Sequence, residues 1–178
     1  MKRLFVSVLF VAVVASVSGQ VFNTSSTLGR NNFSIGLEPT VHVGGPGDGF
    51  MMFFHGGYGI KSGIDLALKL GAGNTTYFGA DLEWHLGKIV SLTTGAHNFG
   101  NFALDGSLNL AFPLRGGVDI FTGFDMDLIF ADELQVPLWL PIGVEIGVGR
   151  NMSFILEAQV GLTDPAWHVI GGGVAFYF

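Results

Sequence analysis

The acidic residues constrain the fold of this chain more than any other feature, because they keep to one phase of a two-residue alternation. The chain contains 14 Asp and Glu residues, and ten of them lie in segments where bulky apolar residues alternate with small or polar ones. In segment 64–71, for example, Asp65 and Lys69 alternate with Leu66 and Leu68. Successive side chains of a β-strand point to opposite faces, so we expect a sheet with one uncharged apolar face. The ten acids on the other face are Glu38, Asp65, Asp81, Glu83, Asp105, Asp119, Asp125, Asp127, Glu145 and Glu157.

Turn residues divide the chain into ten alternating segments with short turns and loops between them. The segments span approximately 32–42, 50–60, 64–71, 76–86, 89–98, 102–112, 117–129, 136–148, 152–161 and 168–178. Most are close to the ~9–11 residues that a tilted strand needs to cross a bilayer. The pattern predicts an all-β fold, an antiparallel transmembrane β-barrel of ten strands, with eight strands as the main alternative. Pro39, Pro137 and Pro141 fall inside segments, where we expect a bulge or a locally broken ladder.

The composition is unusually apolar for a soluble domain. Charged residues make up 12% of the chain and the mean hydropathy is +0.52, yet no run after residue 17 approaches the ~20 apolar residues of a membrane helix. A transmembrane barrel combines these properties because only every second residue contacts lipid. Aromatic residues on the apolar phase also gather near both ends of the segments, as in the girdles of membrane barrels. A soluble secreted β-barrel or sandwich, which would bury the same apolar rows, is the alternative.

The N-terminus has the pattern of a secretory signal. Lys2 and Arg3 precede an apolar core, and small residues follow it, so we expect cleavage of residues 1–19. A short N-terminal segment, 20–31, would then lead into a barrel domain, 32–178. Without Lys2 and Arg3, six of the eight basic residues remain against 14 acidic ones, a net charge near −8. This balance argues against a nucleic-acid partner, and the absence of cysteine excludes disulfides.

The C-terminal strand carries the most specific motif. Residues His168 to Phe178 read HVIGGGVAFYF and end on an aromatic residue. This ending resembles the closing strand of bacterial outer-membrane β-barrels, and residues 32–178 resemble the small outer-membrane β-barrel proteins of the OmpX or OmpA-barrel kind. The resemblance implies a location in the cell outer membrane and contact with outer-membrane lipid. It also implies recognition of the strand ending in Phe178 by the barrel assembly machinery, and no cofactor.

The polar phase of the strands would line the lumen of such a barrel. Its acids outnumber its cations, and isolated buried charge is very costly, so we expect a narrow, hydrated lumen that attracts cations. Small barrels usually fill their bore with side chains, which favours a structural or minor cation-favouring permeability role over an open pore, without catalytic activity. The residues predicted to face the lumen are Glu38, His55, Lys69, Asp81, Glu83, Asp105, Asp125, Asp127, Glu145 and Glu157. Because Gly171, Gly173 and Ala175 are small, we expect the lumen to be widest or least charged beside the last strand.

An enzymatic function is the second hypothesis. Asp125-Met-Asp127 near the end of the seventh segment is faintly similar to the paired acids of the omptin family, outer-membrane proteases with a His–Asp couple at the outer rim. His97 in the fifth segment would have to approach them. The strands here are too short to project beyond the membrane as omptin strands do, so we predict no catalytic residues.

Two further groups of residues contain side chains that could bind metal ions. Asp81, Glu83 and His85 share one face of a strand, but same-face neighbours lie ~6.6 Å apart, so this row alone cannot form a compact site. We therefore predict no metal centre in the strands. Four acids fall in the longer loops, where we expect divalent cations to bind. They are Asp48, Asp132, Glu133 and Asp164.

Overall fold

A computed structural model describes residues 28–45 and 48–178, and the expected signal sequence, 1–19, lies outside these residues. The described part contains eleven strands and no helix, and therefore no helix that could cross a membrane. The strands are β1 (Phe33–Val43), β2 (Gly49–Lys61), β3 (Ile64–Gly73), β4 (Tyr77–His85), β5 (Val90–Phe99), β6 (Asn101–Pro113), β7 (Val118–Phe130), β8 (Leu134–Gln135), β9 (Leu138–Val148), β10 (Met152–Gly161) and β11 (His168–Tyr177).

The ten long strands form a closed antiparallel barrel. Each long strand pairs with the next along the chain, β7 pairs with β9 beyond the two-residue β8, and β1 pairs with β11 to close the ring. The predicted ten-stranded all-β barrel is therefore confirmed, and the eight-stranded alternative is wrong. Strand boundaries lie within about two residues of those predicted. The eighth long strand begins at Leu138, because Leu134 and Gln135 form the separate short strand β8, which pairs with the end of β7.

The two faces of the barrel wall differ as the alternation predicts. Bulky apolar side chains of every long strand point outward, and several are largely exposed, such as Leu156 at 60% and Ile170 at 61%. Each of the ten strand acids lies on the inner face, buried or half-buried. A soluble barrel would hold its apolar rows inside, so the orientation of these rows contradicts that alternative.

The prolines interrupt backbone pairing without shifting the register. Between β1 and β11 the pairs stop at Leu37 and resume at Thr40, with Pro39 in the gap. Between β7 and β9 they stop at Thr122 and resume at Asp125, opposite Pro141. The Thr122 hydroxyl donates to the Pro141 carbonyl at 2.9 Å. Proline has no N–H to donate, so the expected broken ladders are present at Pro39 and Pro141, whereas Pro137 lies outside the strands, just before β9.

The barrel has two different ends. The start of β1 and the residue after β11 lie at the same end, where Phe178 and Phe33 exchange backbone hydrogen bonds of 2.8 and 3.1 Å. We call this the terminal end. The longer connections lie at the opposite end, which we call the loop end.

The bore is filled near the terminal end by a cluster that we call the apolar plug. Leu28, ahead of β1, enters the bore and its backbone N–H donates to the Asp65 carboxylate of β3. Gly143 leaves room for Phe121, because a Cβ there would collide with the Phe121 ring. The plug consists of Leu28, Ala111, Phe121, Ile155, Ala175 and Tyr177, all buried. It gives the space above it a closed floor.

Candidate functional site

A cavity of about 450 Å³ occupies the bore between the apolar plug and the loop end. Side chains or backbone from all eleven strands contribute to its lining. Thr75, Asn101 and Gln135 line it next to the loops, so it extends to the loop end. Its size is within the range of small-molecule binding sites, about 300–1,000 Å³.

Eight of the ten residues predicted to face the lumen line this cavity. The other two, Glu83 and Glu145, also point inward but lie closer to the terminal end. The Glu145 carboxylate accepts a hydrogen bond of 2.9 Å from the Tyr177 hydroxyl of the plug. The eight lining residues are Glu38, His55, Lys69, Asp81, Asp105, Asp125, Asp127 and Glu157.

Four of the cavity carboxylates contact a basic side chain. Lys69 Nζ lies 2.9 Å from Asp81 Oδ2, and His55 Nε2 lies 2.9 Å from the Glu38 carboxylate. Cross-strand register brings these basic groups to the acids, but the six cavity carboxylates still outnumber the four basic side chains that line the cavity. Asp125 and Glu157 have no Lys, Arg or His within ion-pairing distance in the part of the chain that the structure describes.

His97 connects two further acids. Its Nδ1 lies 3.1 Å from Asp105 Oδ2 and its Nε2 lies 3.4 Å from Asp127 Oδ2. Asp105 and Asp127 are paired directly across β6 and β7, where two like charges would repel each other. A protonated His97 ring between them would reduce this repulsion.

The acids on β4 and β6 approach each other over a glycine. Asp81, Gly95 and Asp105 occupy one row across three strands. A Cβ on Gly95 would collide with Asp81 Oδ1 and lie 2.7 Å from Asp105 Oδ1. The missing side chain therefore gives both carboxylates room to lean into the gap between their strands.

Some buried polar atoms of the cavity wall have no hydrogen-bond partner among the described residues. They include Asp81 Oδ1 and His42 Nδ1, on side chains that are 4% and 6% exposed. Most buried polar atoms in proteins are paired, so each marks a position where a donor or water is expected. His42 Nε2 lies 3.3 Å from the Thr40 hydroxyl.

Aromatic side chains surround the cavity near the loop end and form what we call the aromatic collar. Phe53 lies 5.2 Å from Tyr77, and Phe99 lies 6.1 Å from Tyr77 and 5.9 Å from Trp167, between ring centroids. The Trp139 indole N–H donates to the Trp167 carbonyl at 2.7 Å, which fixes the loop before β11. The collar consists of His42, Phe53, Tyr77, Phe99, Trp139 and Trp167.

The Phe, Tyr and Trp members of the collar were not among the residues predicted from the sequence. Phe53, Tyr77 and Phe99 each occupy the polar phase of their strands, in step with His55, Asp81 and His97. That parity could have identified them as inward. Trp167 precedes β11 in a loop, where no alternation exists to give its direction.

The structure brings His97 and Asp127 together, as the enzyme hypothesis required, but not at an outer rim. They lie inside the cavity, and both imidazole nitrogens face carboxylates. Within residues 28–45 and 48–178, no three His, Asp or Glu side chains converge closely enough to hold a metal ion. The arrangement therefore offers charge and hydrogen-bond acceptors to a ligand in the bore.

The lumen beside β11 differs from the expectation. Gly171 pairs with Glu157, and a Cβ on it would lie 3.0 Å from Glu38 Oε1, so this position is bordered by acids. Nearer the terminal end, Ala175 belongs to the apolar plug. The predicted wide or uncharged path is wrong because neighbouring strands fill the space that the small residues leave.

Comparison with known proteins identifies the fold alone. No protein-family model matches the sequence, and no curated protein is significantly similar to it. Among solved structures, Omp33 of Acinetobacter baumannii matches with a TM-score of 0.50 at 10% identity, over 83% of this chain and 98% of that one.

Two further matches are the KdgM porin in complex with disordered oligogalacturonate and the N-terminal β-barrel domain of Pseudomonas aeruginosa OprF. Their TM-scores are 0.49 and 0.42, at 10% and 17% identity. They cover 82% and 84% of this chain and 99% of their own chains. Taken with the closed ten-stranded ring, the match to Omp33 shows that this chain has the fold of the small outer-membrane β-barrel proteins.

Proposed function

We propose that this protein is an integral outer-membrane β-barrel with a structural role and no catalytic activity. One observation supports this most: the outer wall is apolar around the whole ring, while every strand acid lies inside. A closed barrel leaves no unpaired strand edge, which a hydrocarbon environment requires. Soluble monomers rarely expose apolar patches beyond a few hundred Å².

Membrane fractionation combined with heat-modifiable gel migration tests this proposal. We expect the protein in the outer-membrane fraction, extracted only by detergent, and a shift in apparent mass when the folded barrel is boiled. Recovery in the soluble fraction without detergent would contradict the proposal. By the resemblance of the terminal strand, the terminal end faces the periplasm and the loop end faces outward.

The apolar plug supports a structural role over a steady pore. Leu28, Phe121 and Tyr177 close the floor of the cavity, so the barrel is expected to conduct little in this state. Any remaining permeability should favour cations, because six carboxylates line the cavity above the plug. They are Glu38, Asp81, Asp105, Asp125, Asp127 and Glu157.

Planar-bilayer recordings test the permeability part. We expect wild-type protein to show very small conductance, and Phe121→Ala to show more, with a reversal potential in a KCl gradient that indicates cation preference. Anion preference, or equal conductance in both proteins, would contradict the role assigned to the plug and the acids. A Leu114→Ala variant, altered at an exposed turn, is the control.

A further inference from the structure

We propose that the cavity of the barrel is a binding site for a small organic ammonium ion, such as a protonated aliphatic amine or diamine. The ammonium group would lie among the carboxylates, and the methylene body would lie against the aromatic collar. This inference goes beyond the structural role proposed above and requires no conductance. It depends on the composition of the cavity wall.

The net charge of the cavity wall favours the binding of a cation. Six carboxylates line the cavity, against Lys69 and the three histidines His42, His55 and His97. When all six carboxylates are ionised, two negative charges remain uncompensated even if all four basic groups are charged. Carboxylates removed from bulk water are costly without a partner, so a bound cation would stabilise the folded barrel.

The buried polar atoms without a hydrogen-bond partner favour a ligand that donates hydrogen bonds. Asp81 Oδ1 is an acceptor without a partner. His42 Nδ1 is also an acceptor when Nε2 carries the proton and donates to Thr40. An ammonium group has only donors to offer. A ligand with one ammonium group near the carboxylates, or a diamine with an ammonium group at each end, would match this set of atoms.

The collar selects an organic cation over a metal ion. Phe53, Tyr77, Phe99 and Trp167 line the cavity near the loop end, and aromatic rings attract cations and pack against methylene groups. In the described chain, no trio of His, Asp and Glu can hold a metal. A cavity of about 450 Å³ also has far more room than a bare ion needs.

The closed floor makes the cavity a binding site and not a channel. Leu28 and Phe121 separate it from the terminal end, while Asn101 and Gln135 line it at the loop end. A ligand would therefore enter and leave by the loop end.

Isothermal titration calorimetry on the full chain, folded in detergent micelles, tests this proposal. The probes are 1,4-diaminobutane, tetramethylammonium, Na⁺ and Mg²⁺, at constant ionic strength. We expect saturable heat with the diamine, weaker binding of tetramethylammonium because it has no N–H, and no saturation with Na⁺ or Mg²⁺. Quenching or enhancement of Trp139 and Trp167 fluorescence should saturate at the same concentration.

Asp125→Asn is the main variant, because Asp125 lines the cavity and has no ion-pair partner among the described residues. Removing its charge should weaken diamine binding about tenfold or more. Phe99→Ala should weaken it through lost ring contact. Asp119→Asn is the matched control: it removes a strand acid that does not line the cavity and should leave the affinity unchanged. The heat-modifiable gel shift verifies folding of each variant.

Three results would overturn the proposal. They are the absence of saturable diamine binding to folded wild-type protein, equal binding of Na⁺ or Mg²⁺, and equal loss of affinity in Asp119→Asn and Asp125→Asn. The last result would indicate that overall negative charge attracts the diamine without a defined site.

Discussion

An arginine on the outer wall should destabilise this barrel strongly at mid-height and weakly near its ends. Leu156 is 60% exposed and occupies the middle of β10, between Met152 and Gly161. Replacing it with Arg removes an apolar side chain from lipid and places a charge there. For the bilayer midplane the cost is about 2–4 kcal/mol.

Val148→Arg is the matched control for depth. Val148 is also exposed but is the last residue of β9, close to the membrane boundary. The same charge there should cost about 0–1 kcal/mol. The difference between the two variants, roughly 1–4 kcal/mol, therefore reports where the bilayer lies on the barrel wall.

The measurement is reversible urea unfolding of each protein in lipid vesicles, followed by tryptophan fluorescence. If the outer wall contacted water, both substitutions would alter the free energy of unfolding by no more than about 0.5 kcal/mol, as exposed surface changes usually do. That outcome, or equal losses at both depths, would refute the membrane-spanning proposal.

Three further predictions concern the interior, the terminus and the loops. Lys69→Met should cost about 3–5 kcal/mol in urea unfolding because it leaves a buried carboxylate unpaired, whereas Lys88→Met in an exposed turn should cost under about 0.5 kcal/mol. Phe178→Ala removes a ring stacked on Phe33 at 4.8 Å, so we expect the free energy of unfolding in vitro to fall by about 0.5–1.5 kcal/mol. If the assembly machinery recognises this residue, the yield of protein in the outer-membrane fraction should fall much further. A chelator should lower the unfolding temperature in lipopolysaccharide-containing vesicles, and Asp132→Asn should reduce that effect; no change on chelation would contradict cation binding at the loops.

The wall of the barrel could be predicted from the sequence because it depends on parity within single strands. Asp65 and Leu66 must point to opposite faces whatever their neighbours are. The same rule places Phe53 and Tyr77 inside, although they were not identified from it. Predictions of this kind need no knowledge of which strand lies alongside.

The contacts of the cavity depend on the relative register of several strands, which a single sequence does not specify. His97 contacts Asp105 because β5 and β6 pair with Ala103 opposite His97. One step of slippage would separate them. Leu28 could not be placed either, since it precedes the alternating segments and reaches the bore through an irregular backbone path. Register and irregular backbone therefore account for most of what the sequence did not predict.

The pairing of β1 with β11 also determines when the barrel can close during folding. Nine of the ten strand interfaces join neighbours along the chain, and only this one joins the two ends. A chain still lacking β11 has two open strand edges, whose unpaired peptide groups hydrocarbon cannot satisfy. In a barrel that spans a membrane as proposed, insertion of the closed ring would therefore require β11. Pro39 breaks the ladder between β1 and β11 and Pro141 breaks the ladder between β7 and β9, so these are the two interfaces at which the finished ring should open first.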